Sequence, residues 1–294
     1  MKDGTTALMP ARRTGLRFPL RLRLRLGRGL GKLYIGAFIV GILAILTIFS
    51  HLIAPYDPIA QNLLATFQPP SSSHFFGTDQ FGRDVFSRSL YAAGLDLQIA
   101  FLGTLFCMLV GVSLGIISGY FGGLADLVVG RLIDFIIALP GIVAIIAIIA
   151  VLGSSILNLY IALTITGWTA YARLARGEVI AIKNLPYVQA AHSLGYSHRR
   201  VVLRHIVPNV ITPPLLFWIT DMVGTVLLVT ALSYLGLGPQ PPTPEWGAMI
   251  AEARPFMLLA WWVPLFPGLA IVVTGIGLGL LGDGLADLLR AEAG

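Results

Sequence analysis

Apolar residues along this chain gather in blocks instead of alternating with polar ones. Leu33 to Ser50, Leu97 to Ala125, Phe135 to Ala172 and Pro255 to Gly282 run for 18, 29, 38 and 28 residues without one Asp, Glu, Lys, Arg or His. Ile206 to Pro244 adds 39 residues broken only by Asp221. About 20 apolar residues carry a helix across a hydrocarbon core about 30 Å thick, and none of the blocks alternates as the strands of a transmembrane barrel do. The 38-residue block exceeds one crossing, and Gly153, Ser154, Ser155 and Asn158 mark a turn near its middle. The pattern predicts an all-α polytopic membrane protein with six transmembrane helices, at about 34–53, 96–118, 132–152, 156–175, 208–232 and 259–281.

Composition agrees with this. The chain is 56% hydrophobic and 12% charged, about half the charge a water-facing domain carries. The basic residues then set the orientation, because Lys and Arg are retained on the cytoplasmic side. With six spans, 17 of the 20 Lys and Arg fall on one side, leaving Arg83, Arg88 and Arg254 on the other. Both termini are therefore expected in the cytoplasm. The basic run RLRLRLGRGLGK directly precedes the first span, which favours an anchor on anionic lipid over a nucleic-acid patch. A cleaved signal peptide is not expected, since the first apolar stretch runs into HLIAPYDP without a small-residue cleavage site.

Catalytic chemistry is not indicated. None of the five histidines falls in a predicted span, and there is no HExxH. GRGLGK has the wrong glycine spacing for a nucleotide loop, and Lys32 is followed by Leu33. Cys107 is the single cysteine, which excludes an internal disulfide. It is spaced by fours with Gly103, Gly111, Gly115 and Gly119, a small-residue ridge on which another helix can pack closely. GIGLG at 275–279 lies mid-span and is likewise expected to pack. No metal site and no catalytic residue is assigned.

The segment LPYVQAAHSLGYSHRRVVLRHIVPN between the fourth and fifth spans carries a short helical run over 187–194, a break at Gly195 and a restart at Ser197, an apparent N-cap. Pro208 suits the first turn of the following span. A short helix held between two spans could transmit a push to both; an ordinary solvated loop fits the periodicity equally well.

Gln189-Ala190-Ala191, Gly195 and Ile206-Val207-Pro208 resemble the EAA loop of ABC importer permeases. FGTDQFGRDVFSR (75–88), SGYFGG (118–123) with RLIDFIIALP (131–140), WTAYARLAR (168–176), LSYLGLGPQPPTPEWGAM (232–249), AWWVPLFPGLAI (260–271) and LLGDGLADLLR (280–290) resemble, in order, the dipeptide, oligopeptide and nickel permease family. Gln189 replaces the first residue of the EAA triplet, His192 a residue usually basic, and Thr230 a common Glu. The resemblance implies a type I ABC importer permease fold: a basic tail over 1–33, a first transmembrane helix and extracytoplasmic loop over 34–92, and a permease domain over 93–290 with its coupling helix at about 186–205. It implies that Tyr187, Val188, Gln189, Ala190, Ala191, His192, Leu194 and Gly195 meet an ATPase subunit. The implied partners are a second permease subunit, two ATPase subunits (distinct or a homodimer) that bind ATP and Mg, an extracytoplasmic solute-binding protein and the lipid bilayer of a bacterial inner membrane. Nucleic acid is not among them, and this chain would bind no cofactor itself. Peptides are the implied cargo, with glutathione, nickel or a metal chelate as alternatives.

Three further positions stand out. Asp221 is the one carboxylate near the middle of a span, where a charge usually faces a cavity or a neighbouring helix. It could line the path or make a structural hydrogen bond. Pro242, Glu245 and Trp246 lie in a proline-rich external segment that could touch cargo or the binding protein, or form a rigid cap. Asp84 and Arg88, four apart, are expected to form an exposed helical pair. An ATP-independent secondary transporter would usually show an internal repeat or more membrane-embedded charges, and a membrane enzyme would need a convergent catalytic set; none of these is evident in the sequence.

Overall fold

The computed structural model describes residues 20–292, so residues 1–19 of the expected basic tail lie outside the described residues. Among the described residues the regular structure is helical apart from one isolated bridge between Thr78 and Asp84. The order is α1 (Leu20–Ile48), α2 (Ser50–Ile53), α3 (Val85–Phe121), α4 (Gly123–Ile137), α5 (Gly141–Leu152), α6 (Ile156–Ile182), α7 (Pro186–Ser193), α8 (His198–Val201), α9 (Val207–Val210), α10 (Thr212–Tyr234), α11 (Trp246–Ala253) and α12 (Trp262–Glu292). Four of these helices, α1, α3, α10 and α12, are long and apolar enough to cross a membrane. The chain is a multi-pass membrane protein.

Two expected spans depart from the expectation, one by a bend and the other by a polar second half that keeps it off the set of helices apolar enough to cross. The third, expected straight over 132–152, is α4 and α5 joined at a bend of 89°. Pro140 causes it: proline has no N–H for the ladder and forces the preceding residue away from helical geometry. The fourth, α6, is 27 residues long and carries Arg173, Arg176 and Glu178 in its second half. The helix at the second expected span is longer than predicted, 37 residues or about 55 Å, well over the about 30 Å of a hydrocarbon core.

Small residues set the helix contacts. The ridge on α3 meets α6: a Cβ at Gly111 would collide with the Trp168 carbonyl oxygen, and one at Gly115 with that of Ala172. Across the same seam a Cβ at Gly167 would lie 2.7 Å from Cys107 Sγ, and the Cys107 thiol donates to the Leu163 carbonyl at 3.2 Å. α1 lies on α12 in the same manner, through Gly36 against Leu281, Gly284 against Leu33 and Gly277 against Ile39. Lys32 donates to Asp287 across this pair at 3.0 Å. The packing reading of both glycine series therefore holds.

The segment between α2 and α3 is fastened by a buried ion cluster. Arg83 Nε donates to Asp79 Oδ2 at 2.6 Å, and its NH2 group to Glu252 Oε2 of α11 at 2.6 Å. Arg88 lies 3.7 Å from each of the same two carboxylates. The expected exposed pair of Asp84 with Arg88 does not form, and both residues are buried. Asp84 instead caps α3, its Oδ2 accepting from Ser87 N–H at 2.8 Å while Oδ1 meets His74 at 2.9 Å. A carboxylate at a helix N-terminus satisfies amides that have no intrahelical partner.

Candidate functional site

The segment between α6 and α10 forms a small projecting hairpin with rigid ends. Leu185 is extended and Pro186 occupies the first helical position of α7, where its missing N–H costs nothing. At the other end Gly195 has φ +80°, the left-handed region that glycine enters without a Cβ clash. Gly195 N–H donates to the His192 carbonyl at 2.9 Å and Tyr196 N–H to the Ala191 carbonyl at 3.1 Å. These two bonds make a Schellman motif, which closes the helix and turns the chain sharply. Ser197 stands at the N-cap position of α8, but its side chain makes no capping hydrogen bond, unlike the expectation.

α7 divides into a held face and a free face. Val188 and Ala191, three apart, are buried in a cluster with Ile116 of α3, Val179 of α6, and Val201 and Ile206 beyond the turn. Tyr187, Gln189, Ala190, His192, Leu194 and Gly195 are exposed. Leu194 is 74% exposed, a large apolar side chain at the tip of the hairpin.

Polar contacts bind the hairpin to the helices beneath it. The Tyr120 hydroxyl, at the end of α3, lies 3.2 Å from His192 Nε2 and 2.9 Å from His198 Nδ1. Lys183 Nζ donates to the Gly119 carbonyl at 2.8 Å. About two turns further in along α6, Arg176 donates two hydrogen bonds to Asp126 of α4, at 2.5 and 2.7 Å, and Ser118 of α3 adds a third at 2.6 Å. The ends of α3, α4, α6 and the hairpin are thereby one connected body. Its partners Arg176 and Ser118 make Asp126 a structural anchor.

On the far side the hairpin runs into α10 without a loop. α8 continues as a π-helical turn over Val202–Ile206, then α9 and α10. Pro208 accounts for the widened turn: it cannot donate to the Arg204 carbonyl, and its ring crowds the preceding turn. Asn209 Nδ2 caps the freed ladder by donating to the His205 carbonyl at 2.7 Å. This element was missed from the sequence, although a proline ten residues into a helical run is its signal.

The other expected positions lie elsewhere. Asp221 of α10 is half-buried and accepts the hydroxyl of Tyr171, in α6, at 2.8 Å. Glu245 and Trp246, expected among possible surface contacts, are fully buried, whereas Pro242 is exposed. Glu245 caps α11 by accepting from Gly247 N–H at 2.9 Å and Ala248 N–H at 2.7 Å. Burial raises its carboxyl above the ordinary range, and these two amides act against that. The Trp246 indole donates to the Ser89 carbonyl at 3.2 Å. Among the described residues no group of three or more His, Cys, Asp or Glu side chains is placed to hold a metal ion.

Comparison with known proteins bears on what this arrangement serves. Residues 111–292 match the family model described as binding-protein-dependent transport system inner membrane component. A probable D,D-dipeptide transport system permease protein of Escherichia coli is 36% identical over 294 residues, covering 100% of this chain and 98% of that protein. A dipeptide transport system permease protein of Alkalihalophilus pseudofirmus is 38% identical, covering 87% of this chain and 84% of the relative. A glutathione transport system permease protein of Pectobacterium atrosepticum is also 38% identical, with 86% and 84% covered.

Proposed function

We propose, from the premise that this chain belongs to the binding-protein-dependent inner membrane components of the dipeptide, oligopeptide and nickel permease family, that it imports peptides as one half of a paired permease. A second permease subunit completes the path, two ATPase subunits drive it with ATP and Mg, and a solute-binding protein delivers cargo from outside. This chain is the non-catalytic membrane part. The peptide class is favoured because relatives named for D,D-dipeptide, dipeptide and glutathione transport are similar over most of their length. In this reading α1, α3, the bent α4 and α5 pair, α6, α10 and α12 are the six spans of a bacterial inner-membrane protein. Both termini and the α7 hairpin face the cytoplasm.

The observation that carries the mechanism is the split of α7 into buried Val188 and Ala191 and exposed Tyr187, Gln189, Ala190, His192, Leu194 and Gly195. The exposed face docks on an ATPase subunit. The buried face, with Tyr120 and Lys183, passes the movement to α3 and α6, while the helical run from α8 passes it to α10. Such a body has two packings, and the ATPases bias it by contacting them unequally.

Gly195→Leu tests this. Open space surrounds the position, so the variant suffers backbone strain of about 1–2 kcal/mol and no clash. Insertion is expected to be normal, with peptide uptake and ATPase stimulation lost together and partly retained in Gly195→Asn. Normal uptake in Gly195→Leu would contradict the assignment.

Asp221 lines the path in this proposal, with Tyr171 fixing the orientation of its carboxylate. Asp221→Asn is then expected to impair uptake of cationic peptides far more than neutral ones, while Tyr171→Phe affects both alike. Equal loss of both cargo types in Asp221→Asn would reduce its role to the bond with Tyr171. A secondary transporter, the reading of a different class, would purify as a transport-competent homomer without ATPase subunits.

A further inference from the structure

Two carboxyl groups are buried side by side where α3 meets the start of α11. Asp96 is 3% exposed and Glu245 is 0% exposed. Asp96 Oδ2 accepts the Trp246 N–H at 3.1 Å, which places its carboxyl at the first turn of α11, the turn that the Glu245 side chain caps. Both oxygens of Glu245 already accept amide protons from Gly247 and Ala248. Asp96 Oδ1 is buried with no donor facing it. Ser233 and Thr230 of α10 pack on the same turn of α11, beside Gly247, where the Ser233 hydroxyl faces the Glu245 carboxyl.

No cation relieves this pair among the described residues. The charged groups around α11 are Arg83 and Arg88 with Asp79, and they meet Glu252, two turns away from Glu245. Among the described residues α10 offers the hydroxyls of Ser233 and Thr230 to the site. Two adjacent carboxylates in a dry site cannot both ionise, and a buried oxygen without a partner is itself costly. One proton on Asp96 Oδ1 removes both difficulties, because it neutralises one acid and turns the orphaned oxygen into a donor toward Glu245.

We infer that Asp96 and Glu245 hold one proton between them, carried on Asp96 Oδ1 and donated toward Glu245, and that this proton fastens α11 to α3. The inference is independent of the transport reading. The sign follows from linkage. The docked pair binds one proton more than an undocked pair, whose carboxyls titrate in the ordinary range near about 4. Docking is therefore strongest at low pH and weakens as pH rises, by up to about tenfold per pH unit between that range and the pKa of the docked pair. Beyond it the proton leaves to solvent, and repulsion between the two carboxylates opposes docking. Because Glu252 sits on the same helix, release of α11 also loosens the Arg83 cluster.

Infrared spectroscopy of the full-length chain in lipid tests the proton directly. At about pH 7, well above the ordinary carboxyl range, a protonated-carboxyl C=O stretch that shifts in D2O is expected. It should be missing in Asp96→Asn and in Glu245→Gln, where an amide supplies the donor permanently. A second readout follows α11 itself. Thiol labelling of Ala253→Cys, buried at 1% exposure in the native chain, normalised to the unfolded chain at each pH, should rise as pH is raised and stay flat when Asp96→Asn is added. Absence of the band in the native chain at about pH 7, its persistence in both variants, or pH-independent labelling would overturn the inference. Should neither variant accumulate, the pH titration of the native band decides alone.

Discussion

Gly111→Leu is expected to prevent the membrane core from assembling. The added side chain would begin inside the Trp168 carbonyl oxygen and the Tyr171 side chain, and the atoms that would have to yield are backbone of a packed helix. Overpacking a core ordinarily costs about 1–3 kcal/mol; here the α3 and α6 axes must separate, so the loss should exceed that range. Gly111→Ala should be intermediate, since its Cβ already collides. Gly130→Leu on α4 is the control, because a Cβ there meets nothing within 4 Å. Detergent-extracted yield and melting temperature report the difference. A Gly111→Leu variant that melts with the native protein would show that the α3 and α6 seam is not as tight as described.

The second large effect is expected at Arg83. Its guanidinium is 3% exposed and bridges Asp79, also 3% exposed, to Glu252 at 22%. Arg83→Met leaves Asp79 buried with only the more distant Arg88, and removing one partner of a buried pair costs about 3–5 kcal/mol. Because the pair joins the segment before α3 to α11, local unfolding of both should accompany the loss. Adding Asp79→Asn should recover part of the stability, since the stranded charge is then removed. Arg254→Met, at an exposed position, should change little. Thermal unfolding of the four proteins checks this, and equal melting of Arg83→Met and Arg254→Met would contradict the buried-cluster account.

What could be read in advance divides by the range of the interaction involved. Apolar blocks and glycines spaced by four are local patterns, and from them the helices and the α3 ridge were legible. Gly195 was legible for the same reason, because a glycine just past a short helical run is a C-terminal signal. Long-range polar partners were not. Arg83 and Glu252 are 169 positions apart, and nothing near either one announces the other. The i,i+4 rule paired Asp84 with Arg88, but Asp84 precedes α3 and its carboxylate serves the helix amides instead. Glu245 was read as a possible cargo or binding-protein contact because it lies in the proline-rich external segment, whereas here it caps a helix whose first turn is buried. Pro140 was visible, yet it sits within an apolar stretch long enough to suggest an unbroken rod, and Pro208 was read as the start of the following span when the helical run in fact begins before it.

The free face of α7 carries the functional account, and Leu194 at its tip is the position to interrogate. With Leu194→Cys in the assembled transporter, and native Cys107 buried out of reach, thiol cross-linking in native membranes should join this chain to an ATPase subunit. In intact cells the same cysteine should react with a membrane-permeant maleimide and not with an impermeant one. Labelling by the impermeant reagent from outside, or an assembled complex in which Leu194→Cys reaches no ATPase, would contradict the account.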